Sequence, residues 1–219
     1  MKKYISKSYI QSIFNRKIIK EENFKIWSEK NFLEKYSKDH GLNPKEINTK
    51  ILIYEDRVKG WFLDIATELK SLRDSGFVIL QIVLSYVEGI QQYINGKISK
   101  GKSKEFFKEG LIRIYPELEK KEKIDEILNN FYKEVRCGLF HTGMVGKSVK
   151  ISGDYLRALN INERLIEINP HLFLEDIKKD FENYIKKLKD ESNEEDRKKF
   201  EKIFDELNIT NEENDNTKN

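Results

Sequence analysis

An almost all-helical protein is what this sequence predicts, and three observations predict it. Apolar residues recur at three- and four-residue intervals through most of the chain, as one face of an α-helix requires. Three prolines interrupt it, too few for the many turns of a sandwich or barrel. Charged residues make up 36% and hydrophobic residues 38%, a balance suited to long amphipathic helices with solvated outer faces. Thirteen Phe and ten Tyr imply that the chain folds, because aromatic side chains bury large apolar areas. At 219 residues it can bury a proper core. The reading is a single helical domain over 1–208: an N-terminal helical extension at 1–44, a core at 45–190 and a C-terminal helix at 191–208. A disordered tail, 209–219, follows.

The elements follow from the same periodicity. Tyr4, Ile5, Tyr9, Ile10, Ile13, Phe14 and Ile18 predict a helix over 4–20, with a second over 22–39 that ends at His40-Gly41. Asn43-Pro44 opens a long helix from about 45 to 73, striped by Ile51, Tyr54, Val58, Trp61, Phe62, Ile65 and Leu69. Asp74-Ser75-Gly76 breaks the pattern. The segment 77–95 is apolar on nearly every face in its first half, so it predicts a central helix surrounded by others. A basic, glycine-containing connection leads to helices at 104–114 and 121–137, separated around Pro116. Beyond His141 glycines cluster, and the β-branched stretches Ser148–Ser152 and Leu165–Ile168 predict a small hairpin near 148–168. Asn169-Pro170 starts a helix carrying Leu172, Phe173, Ile177, Phe181, Tyr184, Ile185 and Leu188, and a last helix spans about 193–207.

Several function classes drop out on composition. One cysteine forms no internal disulfide and no multi-cysteine zinc site. The lysines at 2 and 3 precede no apolar stretch, so no signal peptide is expected. The apolar run Phe77–Val87 is about half the length of a bilayer span. A cytoplasmic protein without a membrane anchor is expected. Net charge is +3, but it is unevenly spread. Residues 1–50 hold twelve Lys/Arg against six Asp/Glu, a net of +6, and residues 190–219 hold five against eleven, a net of −6. The pattern fits either a basic surface for polyanions with an acidic tail, or two solvated helix faces; the second reading is favoured.

No phosphate loop, nucleophile elbow or paired metal-ligand spacing is present, and neither a cofactor nor a metal is expected. The chemistry therefore rests on three histidines. His40 stands at a helix end, where it meets the last carbonyls, and His171 follows Pro170 at a helix start. His141 differs. The helix before it is striped by Ile124, Ile127, Leu128, Phe131 and Val135, while Leu128, Tyr132 and Arg136 form one row at four-residue spacing. Arg136 thus flanks the apolar face, where a guanidinium needs a carboxylate, a pocket or a partner subunit. His141, five residues on, moves protons near neutral pH. In a regular helix five positions diverge by about 140°, so a helix ending between Gly138 and Gly143 is needed to bring the two together. Glu88, after the apolar run of the central helix, needs a buried partner, and Arg136 is the one expected, whether Glu88 orients the site or merely satisfies a polar contact.

The run Tyr132-Lys133-Glu134-Val135-Arg136-Cys137-Gly138-Leu139-Phe140-His141 resembles the Arg-x4–6-His signature of HEPN domains, and the long preceding helices, with Ser85-Tyr86-Val87-Glu88 in the central one, are similar to that family's bundle. A second match to the spacing, Arg164 to His171, spans a strand-like Leu-Ile-Glu-Ile and Asn-Pro, which cannot continue a helix. The resemblance implies an all-α, HEPN-like helical bundle over about 50–190. It also implies a homodimer with two Arg/His pairs facing each other, and metal-independent RNA cleavage leaving 2′,3′-cyclic phosphate ends. Arg136 and His141 would be catalytic and Glu88, Cys137 and Tyr132 supporting, with Lys97, Lys100, Lys102 and Lys104 along an RNA track. Such enzymes act in toxin–antitoxin and phage-defence systems, often with an antitoxin or other protein partner. Active members usually carry a polar residue after the arginine, where this chain has Cys137, a type that usually packs in a core. That departure keeps open a second reading, an inactive HEPN-like module that binds a partner protein, nucleotide or nucleic acid.

Overall fold

The structure is a computed structural model that describes residues 3–5 and 46–211, by backbone alone at 3–5 and 208–211. The helices expected at 4–20 and 22–39, and His40, lie outside the described residues except Tyr4 and Ile5. Those two belong to a strand, β1 (Lys3–Ile5), that pairs antiparallel with Ile209–Asn211. The start of the expected helix and the start of the expected disordered tail are therefore both strand, as the β-branched and aromatic residues Tyr4, Ile5, Ile209 and Thr210 favour. The remaining architecture is mostly helical with one small three-stranded sheet.

The chain divides into two compact units, one of Met1–Phe62 with Ile185–Asn219 and one of Leu63–Tyr184. In the first, α1 (Ile47–Val58) packs on the helix Glu194–Asn208. Tyr54 meets Phe200 edge-on at 5.4 Å, and Phe200 lies 5.6 Å from Phe204. Lys50, with only 4% of its side chain exposed, is held by Glu201 at 2.6 Å and Asp205 at 2.7 Å. Part of the charge asymmetry is thus internal pairing: a lysine of the basic stretch neutralises two carboxylates of the acidic one.

The expected helix over 45–73 is interrupted. After α1 a π-turn covers Lys59–Leu63, and α2 (Asp64–Leu69) follows. The irregularity falls at Gly60, the weakest helix former here apart from proline. The second unit is built on α3 (Gly76–Asn95), the central helix expected, with Ile79, Leu80, Val83, Leu84, Val87 and Ile90 at most 1% exposed. It ends where Gly96 turns left-handed (φ 62°). By length and composition alone this 20-residue helix reaches the threshold for crossing a membrane, although half of its qualifying window is buried inside the protein. α4 (Ser103–Ile114) lies directly on it. A Cβ on Gly110 would sit 2.6 Å from the Val87 carbonyl oxygen, so the two backbones touch and only glycine fits.

A 3-10 turn at Pro116–Lys120 leads into α5 (Ile124–Phe131), a π-turn (Tyr132–Cys137) and α6 (Gly138–Thr142). The strands β2 (Val149–Ile151), β3 (Leu159–Ile161) and β4 (Ile166–Ile168) lie in the order β2-β4-β3. The two stretches expected to form a hairpin do pair, but in parallel. The hairpin is β3–β4, closed by a turn in which the Asn162 side chain accepts from the amides of Arg164 and Leu165. With β3 occupying the connection, the chain re-enters β4 running the same way as β2. α7 (Pro170–Lys189) begins under an Asn169 cap and α8 (Glu194–Asn208) precedes β5 (Ile209–Asn211).

Candidate functional site

The site grows from the stripe of α5. Ile127, Leu128, Phe131, Val135 and Leu139 are all buried, and Phe131 stacks on Phe107 of α4 at 5.9 Å. Between Phe131 and Leu139 the helix widens into its π-turn, a device common where a side chain must be re-aimed. The helix then continues through Gly138 and ends at Thr142, with Gly143 in the left-handed region (φ 70°) donating to the Leu139 carbonyl. Gly138 serves a packing need: a Cβ there would lie 2.5 Å from the Met144 carbonyl oxygen. The chain doubles back immediately, and the Gly146 amide donates to the Glu134 carbonyl at 2.8 Å.

Arg136 donates from one terminal nitrogen to Glu88 Oε2 at 3.0 Å, the pairing expected from sequence. The side chains are 22% and 14% exposed. Its guanidinium lies over the rings of Phe140 at 4.6 Å and Tyr132 at 5.5 Å, one helical turn either side. The other Glu88 oxygen accepts from Ser99 Oγ at 2.9 Å, and the Ser99 amide donates to Gln92 Oε1. Ser99 lies in the connection between α3 and α4. Lys97, Lys100, Lys102 and Lys104, all exposed, flank it. The connection that carries Lys97, Lys100 and Lys102 is therefore fastened at Ser99, through Glu88, to Arg136.

His141 is exposed, and no hydrogen bond or ion pair joins it to Arg136 among the described residues. It stands beside Phe140 and close in sequence to Met144, two apolar side chains 42% and 62% exposed. Cys137 is half-buried and free. Burial pushes the Tyr132 phenol above its ordinary value, with the Arg136 charge opposing and Cys137 and Glu88 nearby adding to the rise. His171 occupies the second position of α7, its amide donating to the Asn169 side chain. Arg164 sits in the β3–β4 turn, with all of β4 between them, so this second spacing match is not one helical element. Among the described residues no three His, Cys, Asp or Glu side chains gather as metal ligands.

Sequence reasoning missed a second polar cluster in the same unit. Arg113 of α4 binds both oxygens of Asp180 of α7, and its Nε donates to Gln91 at 3.0 Å. Tyr86 donates to Asp180 at 2.8 Å. Nearby, Tyr115 donates to Asp176 at 2.8 Å, and burial with that carboxylate alongside raises its phenol far above its usual value. The available signal was a pair of charges on the inner edges of two strongly amphipathic helices.

Chemically, the arrangement offers an anchored guanidinium with donors unused among the described residues, an exposed imidazole on the same helix, and a lysine-bearing loop. No family model, curated protein or solved structure matches the chain.

Proposed function

We propose that the chain is a HEPN-type endoribonuclease that cleaves RNA without a metal and works as a homodimer. The observation that carries the reading is Arg136: one of its nitrogens is anchored on Glu88, while no protein acceptor among the described residues takes its other donors. A guanidinium held in place yet unsaturated suits a phosphate that arrives later. His141, exposed on the same helix, removes the proton of a ribose 2′-hydroxyl or returns one to the departing 5′-oxygen. The 2′-oxygen attacks the adjacent phosphorus and the bond to the 5′-oxygen breaks, leaving a 2′,3′-cyclic phosphate and a 5′-hydroxyl. Arg136 stabilises the charge of the pentavalent phosphate. The exposed Phe140 and Met144 offer apolar surface for a second copy, which would bring a second pair to the site. A cytoplasmic toxin–antitoxin or phage-defence setting, with a protein antitoxin, fits this activity.

The test is incubation of the full chain with total RNA in EDTA beside His141→Ala and Arg136→Ala. Loss of the histidine lowers cleavage by roughly 10²–10⁴-fold, the usual worth of a general acid–base group. Equal background from all three proteins defeats the proposal. Cys137, a half-buried thiol and a weak hydrogen-bonding group where a carboxylate or amide would be expected, favours the second reading, an inactive module that binds a protein, nucleotide or nucleic acid. That reading predicts undiminished dimerisation and no cleavage.

A further inference from the structure

We infer that the cleft at the N-terminus of α3 is a binding site for the phosphate of a nucleotide. The cleft has a volume of about 410 Å³ and lies wholly within the second unit. That size is ordinary for a small-molecule site. Its polar wall is formed by Arg73, Ser75, the first turn of α3, Ser152 and His171; Leu72, Phe77 and Pro170 supply an apolar wall.

The start of α3 is left open for an acceptor. The first amide of this region with a protein acceptor is Ile79, which donates to the Ser75 carbonyl. Among the described residues no acceptor meets the amides of Gly76, Phe77 and Val78. Ser75 occupies the capping position, yet its side chain makes no capping bond, and the first turn carries no acidic residue. The positive end of a 20-residue helix is thus uncompensated. α7 is built the opposite way. Its N-terminus borders the same cleft, and there the Asn169 side chain accepts from the amides of His171 and Leu172.

The second observation is the Ser75 side chain. Ser75 lines the cleft and is 8% exposed, and its hydroxyl is buried with no hydrogen-bond partner. An orphan hydroxyl in such a place costs stability unless something arrives to satisfy it. Arg73 stands at the rim, paired among the described residues with Asp74 alone at 3.3 Å, and both side chains are almost fully exposed. That exchange with solvent leaves Arg73 available to a stronger anion, while Asp74, the one carboxylate on the wall, stays at the rim. Phosphate on the open amides, Ser75 and Arg73 leaves a base to lie against the exposed side chains of Phe77 and Leu72.

The inference does not draw on the ribonuclease reading, and His141→Ala should keep it intact. The isotope-labelled full chain is titrated with inorganic phosphate, adenosine 5′-monophosphate and adenosine. The amide signals of Gly76, Phe77 and Val78 move with the first two and stay still with adenosine; stationary signals with phosphate overturn the assignment. Ser75→Ala removes a buried orphan hydroxyl, so it folds as well as the parent or better, and binds the monophosphate roughly tenfold more weakly. Unchanged affinity in this variant overturns the role of the hydroxyl and, with stationary amides, the site. A 5′-phosphorylated RNA trinucleotide binding more tightly than the monophosphate assigns the phosphate to an RNA end; the reverse assigns it to a free nucleotide.

Discussion

Two arginines of the second unit are paired with carboxylates at similar depth, and they are built for different ends. The Arg113 side chain is 27% exposed and Asp180 14%, against 22% and 14% for Arg136 and Glu88. Arg113 uses all three of its nitrogens: they reach Asp180 twice and Gln91 once, and Tyr86 also donates to the carboxylate. Among the described residues Arg136 has one hydrogen bond and two aromatic rings. Depth therefore does not distinguish a structural arginine from an available one. The count of satisfied donors does.

The largest expected effect separates the two directly. Arg113→Ala leaves Asp180 buried without its cation and lowers unfolding free energy by about 3 kcal/mol. Arg136→Ala leaves Glu88 with its Ser99 bond and costs about 1 kcal/mol. Urea denaturation measures both, and equal losses would break the comparison. An intermediate effect concerns the braced side. The folded state keeps the proton of Tyr115 while the unfolded chain releases its own above pH of about 10, so stability falls as pH rises past that value. Tyr115→Phe removes this dependence, and its denaturation midpoint should decline less between pH 9 and 11 than that of the parent. The smallest effect is Ser99→Ala, about 0.5 kcal/mol for one hydrogen bond to Glu88. Its sharper readout is hydrogen exchange, which should quicken in the lysine-bearing loop and leave the Arg113 side unchanged.

The sequence made the central helix legible because Phe77–Val87 is apolar on nearly every face, a pattern with few other uses. It made the Glu88–Arg136 pair legible because each is a charge beside an apolar stripe. The Arg113–Asp180 lock was not legible. Its members lie 67 residues apart, and on each helix the charge looks like part of a solvated face until packing turns that edge inward. The π-turn at Tyr132–Cys137 leaves no local mark either, since its residues continue the helical periodicity of the stripe. The parallel pairing of β2 with β4 depended on β3, three residues whose polar Asn160 hides the strand.

The position between Cys137 and Leu139 has an alphabet of one letter. With the Met144 carbonyl 2.5 Å from where a Cβ would stand, even a methyl group must push back the return segment that follows His141. In a library of variants, position 138 would be as intolerant as the histidine, for a reason unconnected with chemistry. Mutational sensitivity in this stretch is then a mixture of two signals, and only activity measured per folded molecule separates them.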